Sequence, residues 1–158
     1  MKLVRADALS RSQKFLVDAA VKAMGTAYNP YSGHFVGAAV MTRSGDIFSA
    51  SNLENASYGS TICAERMAIG KANSHGVRDL VALAVSARSE DNEKSELIAS
   101  PCGSCRQVIY EMSQISSCDI EVILSTADKT QIAVTTIEEL LPYAFGPKQL
   151  NIDISSYR

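Results

Sequence analysis

Three cysteines and one glutamate have the types and the spacing of a metal centre that activates water. Cys63 and Glu65 stand in one short segment, and Cys102 and Cys105 form a Cys-x-x-Cys pair further along the chain. Thiolates from the three cysteines would hold one zinc ion per chain and leave the fourth position of its tetrahedron to water, as catalytic zinc sites do. Glu65 is then the candidate catalytic residue, placed to carry that water's proton.

The Cys-x-x-Cys spacing suits a metal because one turn at the start of a helix presents both sulfurs to the same ion. On its own the pair is ambiguous, since redox motifs share the spacing. Cys63 also precedes a predicted helix, and a helix start favours the ionised thiolate. Three thiolates give the centre a net negative charge, which Arg66 and Arg106 would offset by donating hydrogen bonds to the sulfurs.

The same residues have plainer interpretations that the sequence leaves open. The cysteines can be small buried hydrophobic residues, and Glu65 an ordinary carboxylate in a first helical turn. His34 as a fourth zinc ligand is a further alternative. Cys118, near the start of a predicted strand, is not expected to bind the metal.

The composition is that of a globular protein with one domain, residues 1–158. Of the 158 residues, 46% are hydrophobic and 20% are charged. A chain of this length buries roughly two thirds of its unfolded surface. The net charge is −2 at pH 7, and the Lys and Arg residues form no basic stripe. A nucleic-acid polymer is therefore disfavoured as substrate or partner.

The sequence predicts a cytoplasmic protein without membrane association. Residues 1–15 alternate charged and apolar types and lack the apolar segment of a secretory signal. Apolar runs such as 81–85 are too short to span a bilayer. Thiols stay reduced in the cytoplasm, so clustered cysteines are better interpreted there as metal ligands than as disulfides.

Hydrophobic periodicity and turn residues predict alternating helices and strands. Helices alternating with strands after an opening hairpin predict a three-layer α/β/α sandwich on one mixed five-stranded sheet. The predicted elements are a helix over 7–27, strands 35–42 and 47–53 around a turn at 43–46, a helix over 63–72, a strand 80–87, an exposed loop 89–95, a helix from 101 to about 115, strands 121–125 and 131–134, and a helix from the Thr136 cap through Leu141.

Several segments in a fixed order carry a resemblance to a known family. They are Ala27-Tyr28-Asn29-Pro30-Tyr31-Ser32, Val36-Gly37-Ala38-Ala39, Asn52-Leu53-Glu54-Asn55-Ala56, Cys63-Ala64-Glu65-Arg66, Pro101-Cys102-Gly103-Ser104-Cys105-Arg106-Gln107 and Glu138-Glu139-Leu140-Leu141-Pro142. With them the chain resembles the small homotetrameric zinc-dependent cytidine deaminases over nearly its whole length. The resemblance implies hydrolytic deamination of cytidine and deoxycytidine to uridine and deoxyuridine plus ammonia, in pyrimidine salvage.

The resemblance also implies where a nucleoside binds. Asn52 and Glu54 would bind the ribose 3′-hydroxyl, although they can also be plain polar residues of an edge strand. The backbone of Ala64 and of Ser100 would contact the amide edge of the base and the departing ammonia.

A neighbouring subunit would complete each site. Phe145 matches an aromatic residue that family members insert into the next subunit's site, although from the sequence alone it can equally anchor the tail to the core. A homotetramer is therefore expected, with the C-terminal tail, residues 146–158, at a subunit interface.

His34 departs from the family pattern. Family members usually have Phe at this place, where it packs on the pyrimidine. Phe35 follows one residue later and should not replace it, because strand side chains alternate between faces. An imidazole is more polar than a phenyl ring, so His34 predicts altered base selectivity.

Three other functions remain as alternatives. One is a deaminase of modified or substituted cytosine nucleosides, which His34 favours. Another is a non-catalytic zinc module that binds a nucleoside or a partner. A deaminase of polynucleotides is the third, and Glu54 together with a pI of about 5.7 counts against it.

Overall fold

A six-stranded mixed sheet forms the centre of the molecule. The computed structural model describes residues 1–90 and 98–158. In chain order the strands are β1 (Lys2–Val4), β2 (His34–Thr42), β3 (Ile47–Ser51), β4 (Leu80–Ser89), β5 (Glu121–Thr126) and β6 (Ile132–Thr136), and their order across the sheet is β1-β6-β5-β4-β2-β3. Strands β4 and β5 run parallel, whereas the other neighbouring pairs are antiparallel.

The prediction of five strands was wrong by one. The additional strand is β1, which pairs antiparallel with β6 at the edge of the sheet. It has only three residues, and its central residue Leu3 is 70% exposed. A strand of this length has too few residues to display a period of two, so only its pairing with β6 defines it.

Helices cover both faces of the sheet, which confirms the predicted three layers. The four helices of the described residues are α1 (Arg11–Ala23), α2 (Ala64–Ser74), α3 (Gly103–Ser116) and α4 (Ile137–Leu140). Helix α1 packs on one face, where Ala39 and Ile123 point, and helices α2 and α3 pack on the other, where Val40 and Leu124 point. No helix of the described residues is long and apolar enough to cross a membrane.

The observed bounds refine the predicted ones without changing the order of the predicted elements. The first helix is shorter than expected, because Ser10 caps it through a reciprocal pair of hydrogen bonds with Gln13. Strand β4 continues to Ser89, which was expected in a loop, and the rest of that predicted loop beyond Glu90 lies outside the described residues.

The register of β2 against β4 fixes where a site can form. His34 at the start of β2 pairs with Ser89 at the end of β4. Helices α2 and α3 also begin near this end of the sheet, so their first turns, the start of β2 and the end of β4 surround one cleft.

Gly37 lets α1 pack closely on the sheet. A Cβ built on Gly37 would lie 2.0 Å from the Ala20 carbonyl oxygen and 2.8 Å from the Met24 backbone nitrogen. Both atoms belong to the backbone, so they move only if α1 moves. Any side chain at this position therefore forces the helix away from the strand.

We predict that Gly37→Ala destabilises the protein by about 3 kcal/mol, the upper part of the usual range for overpacking. Urea unfolding followed by circular dichroism measures the change. Gly25→Ala is the matched control, because nothing lies within 4 Å of a Cβ there, and it should change stability by less than about 0.5 kcal/mol. Equal effects of the two substitutions would contradict the steric explanation.

Candidate functional site

The fold brings the three predicted cysteine ligands together. Cys63 is the N-cap of α2, Cys102 is the N-cap of α3, and Cys105 lies in the first turn of α3. Their sulfur atoms all lie within 4.8 Å of one another, and those of Cys102 and Cys105 are 3.5 Å apart. Sulfurs bound to one tetrahedral zinc at about 2.3 Å are about 3.8 Å apart. The cluster therefore has the size of a zinc site.

The electrostatics around the three sulfurs favour a thiolate at Cys63. Neither Cys63 nor Cys102 caps its helix with a side-chain hydrogen bond, so the free amides of both first turns point toward the sulfurs. A hydrogen bond between the Cys63 and Cys105 sulfurs lowers the pKa of Cys63, and Arg66 lowers it further against the opposing effect of burial. The same shared proton raises the pKa of Cys105.

Arg66 is placed as the sequence predicted, beside the sulfurs. Its Nη2 donates to the Thr61 carbonyl oxygen at 2.9 Å. Its Nε is buried and has no hydrogen-bond partner among the described residues. A buried unpaired N–H is costly, and a zinc-bound thiolate is a suitable acceptor for it. This buried donor, together with the three clustered thiols, fits a metal centre.

Arg106 was predicted to donate to the cysteine sulfurs, but in the structure it donates to oxygen atoms. Its guanidinium donates to the Pro101 carbonyl at 2.8 Å, to the Leu140 carbonyl at 3.0 Å and to the Ser100 hydroxyl at 3.0 Å. These bonds tie the segment before α3 to the end of α4. Arg106 thus holds the backbone that carries Ser100 and Cys102, and its three nitrogens face oxygen rather than sulfur.

Glu65 lies directly beside the three clustered thiols. It is in the first turn of α2, and its side chain is 4% exposed. Burial raises the pKa of this carboxyl, and the nearby Cys63 raises it further. A buried carboxylate next to a candidate metal centre is suited to proton transfer, because bulk water does not compete for its proton.

Glu65 and the cysteines line a cleft with a volume of about 360 Å³. Such a volume accommodates a small molecule. All five of the predicted substrate contacts that belong to one chain line the same cleft: His34, Asn52, Glu54, Ala64 and Ser100.

Phe145 does not line this cleft. Its side chain is 61% exposed on the surface of the chain, and its carbonyl oxygen accepts a hydrogen bond from Gln107 Nε2 at 2.8 Å.

Asn52 holds the backbone of β2 at the edge of the cleft. Its Oδ1 accepts from the Val36 N–H at 3.0 Å, and its Nδ2 donates to the His34 carbonyl at 2.9 Å. The side chain thereby continues the sheet pairing beyond the end of β3. One Nδ2 hydrogen remains for a ligand.

Glu54 is a buried carboxylate that its surroundings keep ionised. It is 4% exposed and accepts hydrogen bonds from the Ser32 hydroxyl and from the backbone N–H groups of Tyr31 and Ser32. These donors, the Ser32 hydroxyl first, hold the pKa of Glu54 below its usual value against the opposing effect of burial. Glu54 therefore presents a charged acceptor to the cleft.

His34 and Phe35 point to opposite sides of the sheet. His34 lines the cleft together with Val36, and its Nδ1 lies 3.2 Å from the Ser89 hydroxyl oxygen. Phe35 instead lies under the Arg88 guanidinium, whose carbon is 3.9 Å from the ring centroid. The alternation expected for a strand thus leaves an imidazole, and no phenyl ring, on this wall of the cleft.

Four further residues line the cleft without a role predicted from the sequence: Ser32, Tyr58, Thr61 and Val85. Ser32 belongs to one of the segments that carried the family resemblance, so a signal was present without an assigned role. Val85 stands in a continuous apolar run, where nothing in the pattern distinguishes a cleft residue from a core residue.

A metal-sized cluster of three thiols with a buried carboxylate defines the class of protein as a zinc-dependent hydrolase. Residues 10–120 match the family model described as the cytidine and deoxycytidylate deaminase zinc-binding region. A cytidine deaminase from Halalkalibacterium halodurans is 42% identical over 139 residues, covering 88% of this chain and 98% of that protein. The chain therefore belongs to the cytidine deaminase family.

Two further relatives bear on fold and substrate. The crystal structure of cytidine deaminase from Burkholderia pseudomallei superposes with a TM-score of 0.74 at 37% identity, covering 87% of this chain and 100% of that one. A blasticidin-S deaminase from Bacillus cereus is 34% identical, covering 87% of this chain and 94% of that protein. The predicted family, fold, enzyme class and zinc cofactor are thereby confirmed. The names of these relatives give two different substrates, cytidine and blasticidin S.

We predict that Cys63→Ala, Cys102→Ala and Cys105→Ala each remove most of the bound zinc from the purified protein, because each leaves two thiolates for a four-coordinate ion. Mass spectrometry of the metal after gel filtration should give about one zinc per chain for the unmodified protein. Cys118→Ala is the matched control, since its sulfur contacts the Leu80 carbonyl and lies outside the cluster. Zinc loss from Cys118→Ala alone would contradict the assignment of the ligands.

Proposed function

We propose that the chain deaminates cytidine and deoxycytidine to uridine and deoxyuridine, with release of ammonia, in pyrimidine salvage in the cytoplasm. One observation carries the proposal: Glu65 is buried beside three clustered thiols in a cleft that also holds Asn52 and Glu54. The thiols and Glu65 suit the attack of water on a base, and the two polar residues suit a sugar.

Zinc held by Cys63, Cys102 and Cys105 would supply Lewis acidity, which lowers the pKa of a bound water. The Glu65 carboxylate takes the proton from that water and delivers it to the ring nitrogen N3 of the base. The water oxygen bonds to the carbon that bears the amine. A second proton passes through Glu65 to the exocyclic nitrogen, which leaves as ammonia.

The rest of the cleft orients the nucleoside. Backbone atoms of Ala64 and Ser100 contact the amide edge of the base and the leaving nitrogen. Asn52 and Glu54 bind the 3′-hydroxyl of the ribose, since one Asn52 hydrogen and the ionised Glu54 carboxylate are available to it. A buried site built for a hydroxyl rejects analogues that lack it.

The active protein is a homotetramer in which Phe145 of each subunit enters a neighbouring cleft. Its exposed ring supports this arrangement because it lines one surface groove together with the exposed Leu150 and Ile152, and a contiguous apolar patch marks an interaction site. Leu150, Ile152 and Tyr157 of the C-terminal tail are also more than half exposed. Residues 146–158 therefore lie at a subunit interface.

We predict that Glu65→Ala abolishes deamination, with a loss of at least about 1,000-fold in kcat, while zinc remains bound. The loss follows because the only other described carboxylate that lines the cleft, Glu54, is engaged by Ser32 and by the backbone N–H of Tyr31. Ultraviolet absorbance of cytidine measures the reaction, and metal analysis checks the zinc. Asp7→Ala is the control and should keep full activity, because this exposed carboxylate precedes α1 and does not line the cleft. Turnover in Glu65→Ala near that of the control would refute the proton-transfer role.

A second candidate substrate class is the modified or substituted cytosine nucleosides. His34 favours it, because its exposed imidazole on the cleft wall offers a hydrogen-bonding group where a phenyl ring would offer none. The relative that is named a blasticidin-S deaminase supports it as well. The zinc ligands and Glu65 serve both substrate classes in the same way.

We predict that His34→Phe raises activity on cytidine, relative to N4- or ring-substituted cytidines, by about tenfold, the size expected for one polar contact in a pocket. The measurement compares kcat/KM for both substrates with each variant. His75→Phe is the control. His75 is the only other histidine of the chain, and it packs on Phe48 at the end of α2. An unchanged ratio for His34→Phe would remove His34 as a determinant of base selectivity.

A further inference from the structure

The hydroxyl of Ser32 connects two of the residues that face the cleft. It donates a hydrogen bond to Glu54 Oε1 and accepts one from the His34 backbone N–H at 3.1 Å. Its donor and one of its two acceptor lone pairs are therefore used within the protein. Ser32 itself lines the cleft, so it is part of the site and not a distant support.

The pattern of donors leaves a defined part of the Glu54 carboxylate for a ligand. Oε2 accepts from the backbone N–H groups of Tyr31 at 3.0 Å and Ser32 at 3.3 Å. Oε1 accepts, among the described residues, only from the Ser32 hydroxyl. An ionised carboxylate has about four acceptor sites, two on each oxygen. Oε2 is thus filled, and Oε1 keeps one lone pair.

The loop that carries Ser32 is held in place from both sides. Gly33 has a left-handed φ of 64°, and its N–H and carbonyl bond to Asn29 at 3.1 Å and to Glu90 at 2.9 Å. On the other side, Tyr28 exchanges backbone hydrogen bonds with Asn52 at 3.1 Å and Glu54 at 2.8 Å. The backbone thereby fixes Ser32 against the residue whose carboxylate it contacts.

We propose that Ser32 is a positioning residue for sugar recognition: its hydroxyl turns Glu54 so that the free lone pair of Oε1 faces the 3′-hydroxyl of a bound nucleoside. This inference rests on the proposed function, because it assigns the orientation of the carboxylate that binds the ribose. Without the Ser32 hydroxyl, Oε1 loses its only described partner, and the carboxylate is held only through Oε2 by two backbone N–H groups. Its rotation about the last bond is then less restricted.

The charge of Glu54 depends on the same hydroxyl. Ser32 is the largest of the effects that hold the pKa of Glu54 below its usual value, so removing it raises that pKa. The titratable groups of the described residues that line the cleft with Glu54 are His34 on β2, Tyr58 before α2, Cys63 and Glu65 at the start of α2, and Cys102 at the start of α3. Of these, His34 contributes to the lowering.

The test compares two substrates with Ser32→Ala: cytidine and 2′,3′-dideoxycytidine, which lacks the 2′- and 3′-hydroxyls. We expect kcat/KM for cytidine to fall about tenfold, mainly through KM, and that for the dideoxy compound to change less than about threefold. We also expect the acid limb of the cytidine profile of kcat/KM to move to higher pH, since Glu54 then takes up its proton at higher pH. The ratio of the two substrates within one preparation does not depend on the folded fraction.

Two variants separate positioning from a structural role. Ser32→Thr keeps the hydroxyl and should restore most of the preference for cytidine. Ser44→Ala removes a serine that donates to Asp46 at 2.7 Å in the β2–β3 turn, and it should leave both substrates unaffected. Equal losses on the two substrates with Ser32→Ala, or no recovery with Ser32→Thr, would overturn the inference. Failure of the unmodified protein to convert cytidine would instead refute the proposed function, and the inference with it.

Discussion

The metal centre depends on one packing constraint: two helices must bring their first turns to the same end of β4. Small residues make this possible on the side of α2. Ala64, Ala68 and Ala72 are fully buried where α2 contacts the sheet, and Ala38 of β2 is fully buried on the facing strand. Methyl groups let the helix axis approach closely and lose no rotamer entropy on burial. The position of Cys63 follows from this contact, because it caps the helix that the alanines hold.

The two carboxylates of the cleft are placed in opposite environments. Glu65 is buried among apolar and sulfur atoms, so burial raises its pKa, whereas donors around Glu54 lower its pKa. Two acids of the same type thus acquire different properties from their neighbours alone, as in other enzymes that need one proton carrier and one permanent acceptor. Burial by itself does not distinguish them, since both side chains are 4% exposed. The difference lies in the hydrogen-bond donors.

The sequence predicted the features that depend on local pattern. Cys102 and Cys105 were recognisable because a Cys-x-x-Cys pair at a helix start is a local arrangement, and β4 was recognisable from its continuous apolar run. The features that the sequence could not predict depend on distant parts of the chain. The Leu140 carbonyl is an acceptor for Arg106 only because α4 packs near the start of α3. The contact between Ser32 and Glu54 likewise requires the chain reversal at Gly33, and β1 requires the exposed edge of β6.

The two ends of the cleft differ in how much they tolerate change. At the metal end, Cys63 and Cys102 cap helices whose buried faces form the core. A substitution there therefore disturbs packing as well as chemistry. At the other end, Asn52 and Ser32 hold His34 through its backbone carbonyl and N–H and not through its ring. The imidazole contacts only the exposed end of β4, at the Ser89 hydroxyl, among the described hydrogen bonds. The side chain at position 34 can therefore vary without altering the backbone contacts that hold Ser32 against Glu54.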